Sequence, residues 1–305
     1  VLATHRTHQR KMWLQLLSVS AMPDTDRAFT SVEDLANEPR GTYESVPVFG
    51  SDTKFRMKPG VWQALPVPRY SNDVPGMWHS ISKQDHFVYE LLEQMKGGYF
   101  VDLASNHPVD HSNSRALERD HNWHGLCIEA NPRYWRLLRA VRSCTVVGVA
   151  ASDLEGVATF QDTRKGGSGA LAALLNKPKT DALGTFQVRT MPLRKILAQL
   201  GSPRNISYFS LDVEKAEPLV MSSFPWEAHR FAVMTVEMLS DKSDTPEMQV
   251  RSRAMKQKLR KEGYHLLCTL MHDDVWVDKS AFPRFNQLLL QKNLGGDKRA
   301  CQRWF

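Results

Sequence analysis

The stretch Gly97-Gly98-Tyr99-Phe100-Val101-Asp102-Leu103-Ala104-Ser105-Asn106, with its sequel Gly125-Leu126-Cys127-Ile128-Glu129-Ala130-Asn131-Pro132, decides the fold. Tyr99-Phe100-Val101 is too short for a helix and follows two glycines. It reads as a buried parallel strand whose carboxyl end opens into a turn. A second apolar strand ends on Glu129, 27 residues after Asp102. That interval suits a strand, helix, strand unit. Ligands of open α/β sheets bind beyond such carboxyl ends, where an acid closing the second strand accepts hydrogen bonds from ribose hydroxyls.

Working outward, the apolar spacing over His86-Phe87-Val88-Tyr89-Glu90-Leu91-Leu92-Glu93-Gln94-Met95 predicts a helix stopped by Gly97-Gly98. Strands are expected near 99–104, 125–130, 145–150, 206–212, 231–237, 264–271 and 274–278, and helices near 112–121, 132–141, 192–200, 215–223 and 245–262. Strands alternating with helices predict a parallel sheet covered on both faces. The last two strands are too close for a parallel crossover and should form an antiparallel hairpin at the sheet's edge. The last long helix is signposted by Thr245 as N-cap, Pro246 at its first position and Gly263 after its end. Its cations, Arg251, Arg253, Lys256, Lys258, Arg260 and Lys261, read as a solvated face.

Residues 1–80 carry seven prolines that break any long periodic segment (Pro23, Pro39, Pro47, Pro59, Pro66, Pro68 and Pro75). They read as an irregular arm with enough apolar area, including Trp62 and Trp78, to pack on the main domain at 81–292. Residues 293–305 read as a basic tail.

Composition excludes several classes. With 42% hydrophobic residues over 305 positions the chain builds a real core rather than a disordered segment. No apolar run approaches the ~20 residues of a membrane helix, so no transmembrane segment is expected in this chain. The compartment stays open between cytoplasm and secretory lumen, because a targeting segment upstream of Val1 could have been removed. The net charge of +7 is spread over arm, helix and tail, which makes nucleic acid an unfavoured partner. Cys127, Cys144, Cys268 and Cys301 show no close pairing. Cys127 and Cys268 fall inside expected strands, where a free thiol packs as a small hydrophobe, and no disulfide framework or zinc spacing is expected. Asn205-Ile206-Ser207 matches an N-glycosylation triplet but abuts a buried strand, so chance occurrence is the favoured reading.

Taken together, the segments around Asp102 and Glu129, Ser112-Asn113-Ser114, Ala151-Ser152-Asp153-Leu154-Glu155-Gly156, Ser210-Leu211-Asp212-Val213-Glu214-Lys215-Ala216-Glu217, and the late Gly263–Leu267 and Asp273–Val277 strands resemble the FkbM methyltransferase family. The resemblance covers about residues 80–292. It implies a Rossmann-like class I methyltransferase sheet, mostly parallel with an antiparallel terminal strand, carrying the irregular N-terminal extension. It further implies S-adenosyl-L-methionine as cofactor and methyl transfer to a hydroxyl of a sugar, glycan or small natural product.

Under that resemblance Asp102 meets the cofactor's amino-acid moiety, with Ala104, Asn106, Asn131 and Ser152 as neighbouring contacts. Glu129 grips both ribose hydroxyls, since a carboxylate has two acceptor oxygens. Asp153 suits an adenine contact or a simple turn acid. Asp212 and Glu214 are the candidate bases, Asp212 also facing the cofactor, with His107 as a further candidate and His111 beside it. Glu217 and Glu237 would line the acceptor pocket, or serve as a helix-start charge and a strand-end acid. Three acids without a clear fourth ligand do not make a metal site.

The chain departs from the family pattern at Ala104 and Pro108 in the first loop and at Lys215 in the fourth motif, where Glu-Gly-Ala-Glu is usual. A non-catalytic adaptor built on this fold is therefore the alternative function. A nicotinamide oxidoreductase fits less well, lacking the GxGxxG loop.

Overall fold

The computed structural model describes residues 70–163, 182–237, 246–282 and 301. Its elements, numbered in chain order, begin with α1 (Gln84–Leu91), β1 (Tyr99–Leu103), α2 (Arg115–His121), β2 (His124–Ile128), α3 (Pro132–Val141) and β3 (Thr145–Val147). They continue with β4 (Ala150–Ser152), β5 (Gly156–Thr163), β6 (Ala182–Pro192), α4 (Leu193–Gln199), β7 (Asn205–Leu211) and α5 (Glu217–Ser222). Then come β8 (Arg230–Glu237), α6 (Pro246–Lys261), β9 (Tyr264–Leu270) and β10 (Asp273–Asp278).

Seven strands form one sheet in the order β3-β2-β1-β7-β8-β10-β9. β1 pairs in parallel with β2 and with β7, and β7 with β8. The order of successive strands reverses between β1 and β7, with β2 and β3 laid down on one side and β7 and β8 on the other, and that is the switch point where open sheets bind ligands. Right-handed crossovers running opposite ways from that point put the two helix groups on opposite faces. Both faces being covered, Phe100, Val101, Asp102 and Leu103 are all buried along β1. Gly125 permits the close fit to β1, since a Cβ there would run into the Phe100 carbonyl.

The expected antiparallel hairpin is present, with one refinement. β10 lies inside, antiparallel to both β8 and β9, and β9 takes the edge. The core under the sheet joins Phe209, Phe231, Met234 and Trp276 to Met255 and Leu259 of α6.

Two expectations are corrected. The strand expected over 145–150 divides: β3 stays in the main sheet, while β4 joins a second sheet of order β4-β6-β5 that the apolar pattern did not suggest. The cysteines are also not free. Cys127 bonds Cys144, with Cα atoms 6.1 Å apart, and Cys268 bonds Cys301, at 5.8 Å. Parallel pairing of β2 with β3 brings Cys127 opposite Val146. The intervening helix conceals that proximity in the linear spacing of 17 residues.

Of the arm, residues 70–80 are described, and they fasten to α2. The Asp73 carboxylate accepts from Arg115 Nη2 and Arg119 Nη1, both at 2.6 Å. Asp120 accepts the Gly76 N–H at 3.0 Å. The rest of the arm, Thr245 and the tail other than Cys301 lie outside the described residues. Among the described residues no helix is long and apolar enough to cross a membrane.

Candidate active site

The carboxyl ends of β1, β2, β7 and β8 open into a cavity of about 480 Å³. Five sequence-predicted acids converge on its wall: Asp102, Glu129, Asp212, Glu214 and Glu237. Ala104, Asn106, His107 and His111 join them.

The loop after β1 is held in a left-handed path. Ala104 has φ 64°, Asn106 φ 52° and His111 φ 62°. The backbone N–H groups of Ala104 and Ser105 both donate to the Ile128 carbonyl, at 2.8 and 3.3 Å. Glu129 then clamps the loop from the neighbouring strand. Its Oε2 accepts the Asn106 N–H at 2.7 Å and its Oε1 the Asn131 N–H at 2.6 Å. Burial pushes the Glu129 carboxyl up to about 7 against the lowering effect of these bonds.

Asp102 is buried and accepts the Ser114 hydroxyl. Ser114 in turn accepts from Arg142 Nη2 at 2.8 Å, and Arg142 Nε donates to the buried Glu118. Glu118 also accepts the N–H groups of Ser143 at 2.7 Å and Cys144 at 2.6 Å. Against the opposing pull of burial, these contacts hold Glu118 below its usual value. Burial raises the Asp102 carboxyl, with Arg142 and Ser114 pulling it back.

On the other side of the switch point, Asp212 faces the cavity at the end of β7. Its walls strip water from the carboxyl and raise its pKa, and Glu237 hydrogen-bonds it. Desolvation, then the charge of Asp212, pushes Glu237 far above the carboxylate range. Burial and the nearness of the two carboxyls therefore resist ionising both at once. Glu214 and Lys215 follow with φ 55° and 84°.

Several predicted residues sit elsewhere. Glu217 is buried but is not on the cavity wall: its Oε1 accepts the Val213 N–H at 3.0 Å and the Lys215 N–H at 3.3 Å. It therefore shapes the loop rather than lining an acceptor site, and burial pushes it up to about 8. Ser152 and Asp153 lie off the wall as well, Ser152 Oγ donating to Asp153 Oδ1 at 3.0 Å, which is the turn role. Asn131 contributes its backbone, while Ala130 takes the wall. His107 Nδ1 accepts the Asp110 N–H at 2.9 Å, and desolvation lowers its pKa. That contact leaves Nε2 carrying the proton of a neutral ring, which unsuits His107 as a base.

Sequence reasoning missed Gln84, Asp110, Asn113, Tyr134 and Phe160, all on the wall. Gln84 comes from α1 and donates to Asp273, whose carboxyl burial pushes up to about 7. Phe160 comes from the unforeseen second sheet. Alternation in Phe186-Gln187-Val188-Arg189 was the available signal for that sheet.

Comparison with protein-family models, curated proteins and solved structures finds no match to this chain.

Proposed function

We propose that this chain is an S-adenosylmethionine-dependent O-methyltransferase of FkbM type, acting on a hydroxyl of a sugar, glycan or small natural product. The observation that carries this reading is the charge of the cavity. Six carboxyl side chains line it (Asp102, Asp110, Glu129, Asp212, Glu214 and Glu237), and no lysine or arginine does among the described residues. Like-charged carboxyls in a desolvated cleft raise one another's pKa, and a cationic ligand relieves them. A sulfonium cofactor with an ammonium group has that chemistry. A dinucleotide's phosphates would be repelled, and the loop after β1 has neither the glycines nor the cations to hold them.

In this reading Asp102 pairs with the ammonium group. Each Glu129 oxygen accepts one backbone bond and keeps a second acceptor site for a ribose hydroxyl. Ile128, Tyr134, Val149 and Phe160 supply apolar wall for a purine ring. When bound, the cofactor supplies an electrophilic methyl group. With the cofactor bound, Asp212 would orient the acceptor hydroxyl and take its proton as the methyl exchanges its bond to sulfur for one to oxygen, the cofactor leaving as a neutral thioether, and Glu237 would steady Asp212 by donating to it.

The test is transfer of labelled methyl groups to a panel of sugars and hydroxylated small molecules. The wild type labels an acceptor. Asp212→Asn labels it at least about 100-fold more slowly at saturating cofactor. Cofactor binding unchanged by Asp102→Ala and Glu129→Ala would remove the assignment.

A further inference from the structure

We propose that Asn205 is an N-glycosylation site and that the chain folds in an oxidising secretory compartment. Asn205-Ile206-Ser207 is the one Asn-X-Ser/Thr triplet in the sequence. The triplet's place in the fold reverses the expectation drawn from its neighbouring apolar residues. Asn205 is the first residue of β7 and is exposed, as are Pro203 and Arg204 before it, while Ile206 is buried. The strand is thus anchored one residue later, and the acceptor amide stands at the protein surface.

An independent observation supplies the compartment. All four cysteines are paired, as Cys127–Cys144 and Cys268–Cys301. Paired cysteines persist where the environment is oxidising, and the secretory lumen is also where Asn-X-Ser/Thr triplets receive glycans. Neither feature alone says as much: a triplet is weak as a pattern, and disulfides do not require a glycan.

The position is compatible with an open active site. β7 rises about 3.3 Å per residue, so roughly 20 Å separate Asn205 from the carboxyl end of the strand that leads into the cavity. A bulky, solubilising glycan at the amino end leaves the cavity mouth clear. The inference does not depend on methyl transfer.

Peptide mapping of the protein taken from its own cells, without reduction, tests it. The expected result is a glycan on the Asn205 peptide, removed by peptide N-glycosidase with conversion of the residue to aspartate, together with both disulfides. Asn205→Gln should lose one glycan's mass and keep both disulfides and the thermal midpoint. Ser207→Thr keeps the triplet, and its hydroxyl can still accept the Tyr99 N–H that Ser207 Oγ accepts at 3.2 Å, so it should keep the glycan. An unmodified Asn205, four free thiols, or a glycan that survives Asn205→Gln would overturn the proposal.

Discussion

The Glu129 carboxylate accepts the Asn106 backbone N–H at 2.7 Å, tying the end of β2 to the loop that follows β1. This one bond makes an acid from the second strand part of the first strand's turn. It places a buried carboxyl, raised to about 7, on the wall of a cavity already crowded with carboxyls.

That arrangement costs stability in the free protein. A carboxyl whose folded pKa lies above its unfolded value of 4.5 favours folding fully below pH 4.5, and that contribution is lost as pH rises through about 7. For Glu129 the loss is about 3 kcal/mol. Glu129→Gln turns an amide NH2 toward one of the two backbone N–H groups that Glu129 accepts, so it should unfold at a lower temperature than the wild type at pH 5, by a smaller margin at pH 8, and lose its response to S-adenosylmethionine. Scanning calorimetry of both proteins at pH 5 and pH 8 checks this.

Ligand affinity should follow the same protons with the opposite consequence. A cationic ligand favours the ionised carboxyls of the wall, and burial pushes one of them, Glu129, up to about 7. Titration calorimetry should show S-adenosylmethionine binding more tightly at pH 8 than at pH 6, with protons released on binding. Affinity independent of pH over that range would count against an ionised-carboxylate site.

Ala104 and Lys215 stand at φ 64° and 84°, in the region glycine tolerates best. Both are positions at which the resemblance to FkbM proteins leads one to expect glycine. Ala104→Gly and Lys215→Gly should each stabilise by about 1 kcal/mol, or raise the thermal midpoint by about 2–4 °C. A lowered midpoint would show that these side chains make compensating contacts.

Arg142 and Glu118 form a buried ion pair behind Asp102, each 6% exposed. Removing one partner strands the other's charge. Arg142→Met should cost about 3–5 kcal/mol, and adding Glu118→Leu should not recover that loss, because the Ser143 and Cys144 N–H groups then lose their acceptor. Urea unfolding of the two variants provides the comparison.

Much of the architecture was legible because apolar runs bounded by glycine mark the central strands: β1, β2 and β7 fall within a residue or two of their expected places. The second sheet was not legible. In β5 the outward side has Val157 68% exposed, so the apolar alternation that signals a half-buried strand is blurred. The disulfides were hidden because pairing of neighbouring strands, not linear spacing, brings Cys127 to Cys144. In the candidate site, acids at strand ends were found where strand order puts them. Glu217 and Asp153 were left with two readings each because an acid beginning a helix or a turn looks the same in sequence whether it faces a cavity or a backbone N–H. Gln84 and Phe160 reach the wall from distant elements and carry no local signature.

The most direct test of the central claim is isothermal titration of the purified protein with S-adenosylmethionine, S-adenosylhomocysteine and NAD. The acidic cavity predicts saturable binding of the first, binding of the second through Asp102 and Glu129, and none of NAD. Binding of NAD in preference to both, or binding of none of the three, would contradict the account.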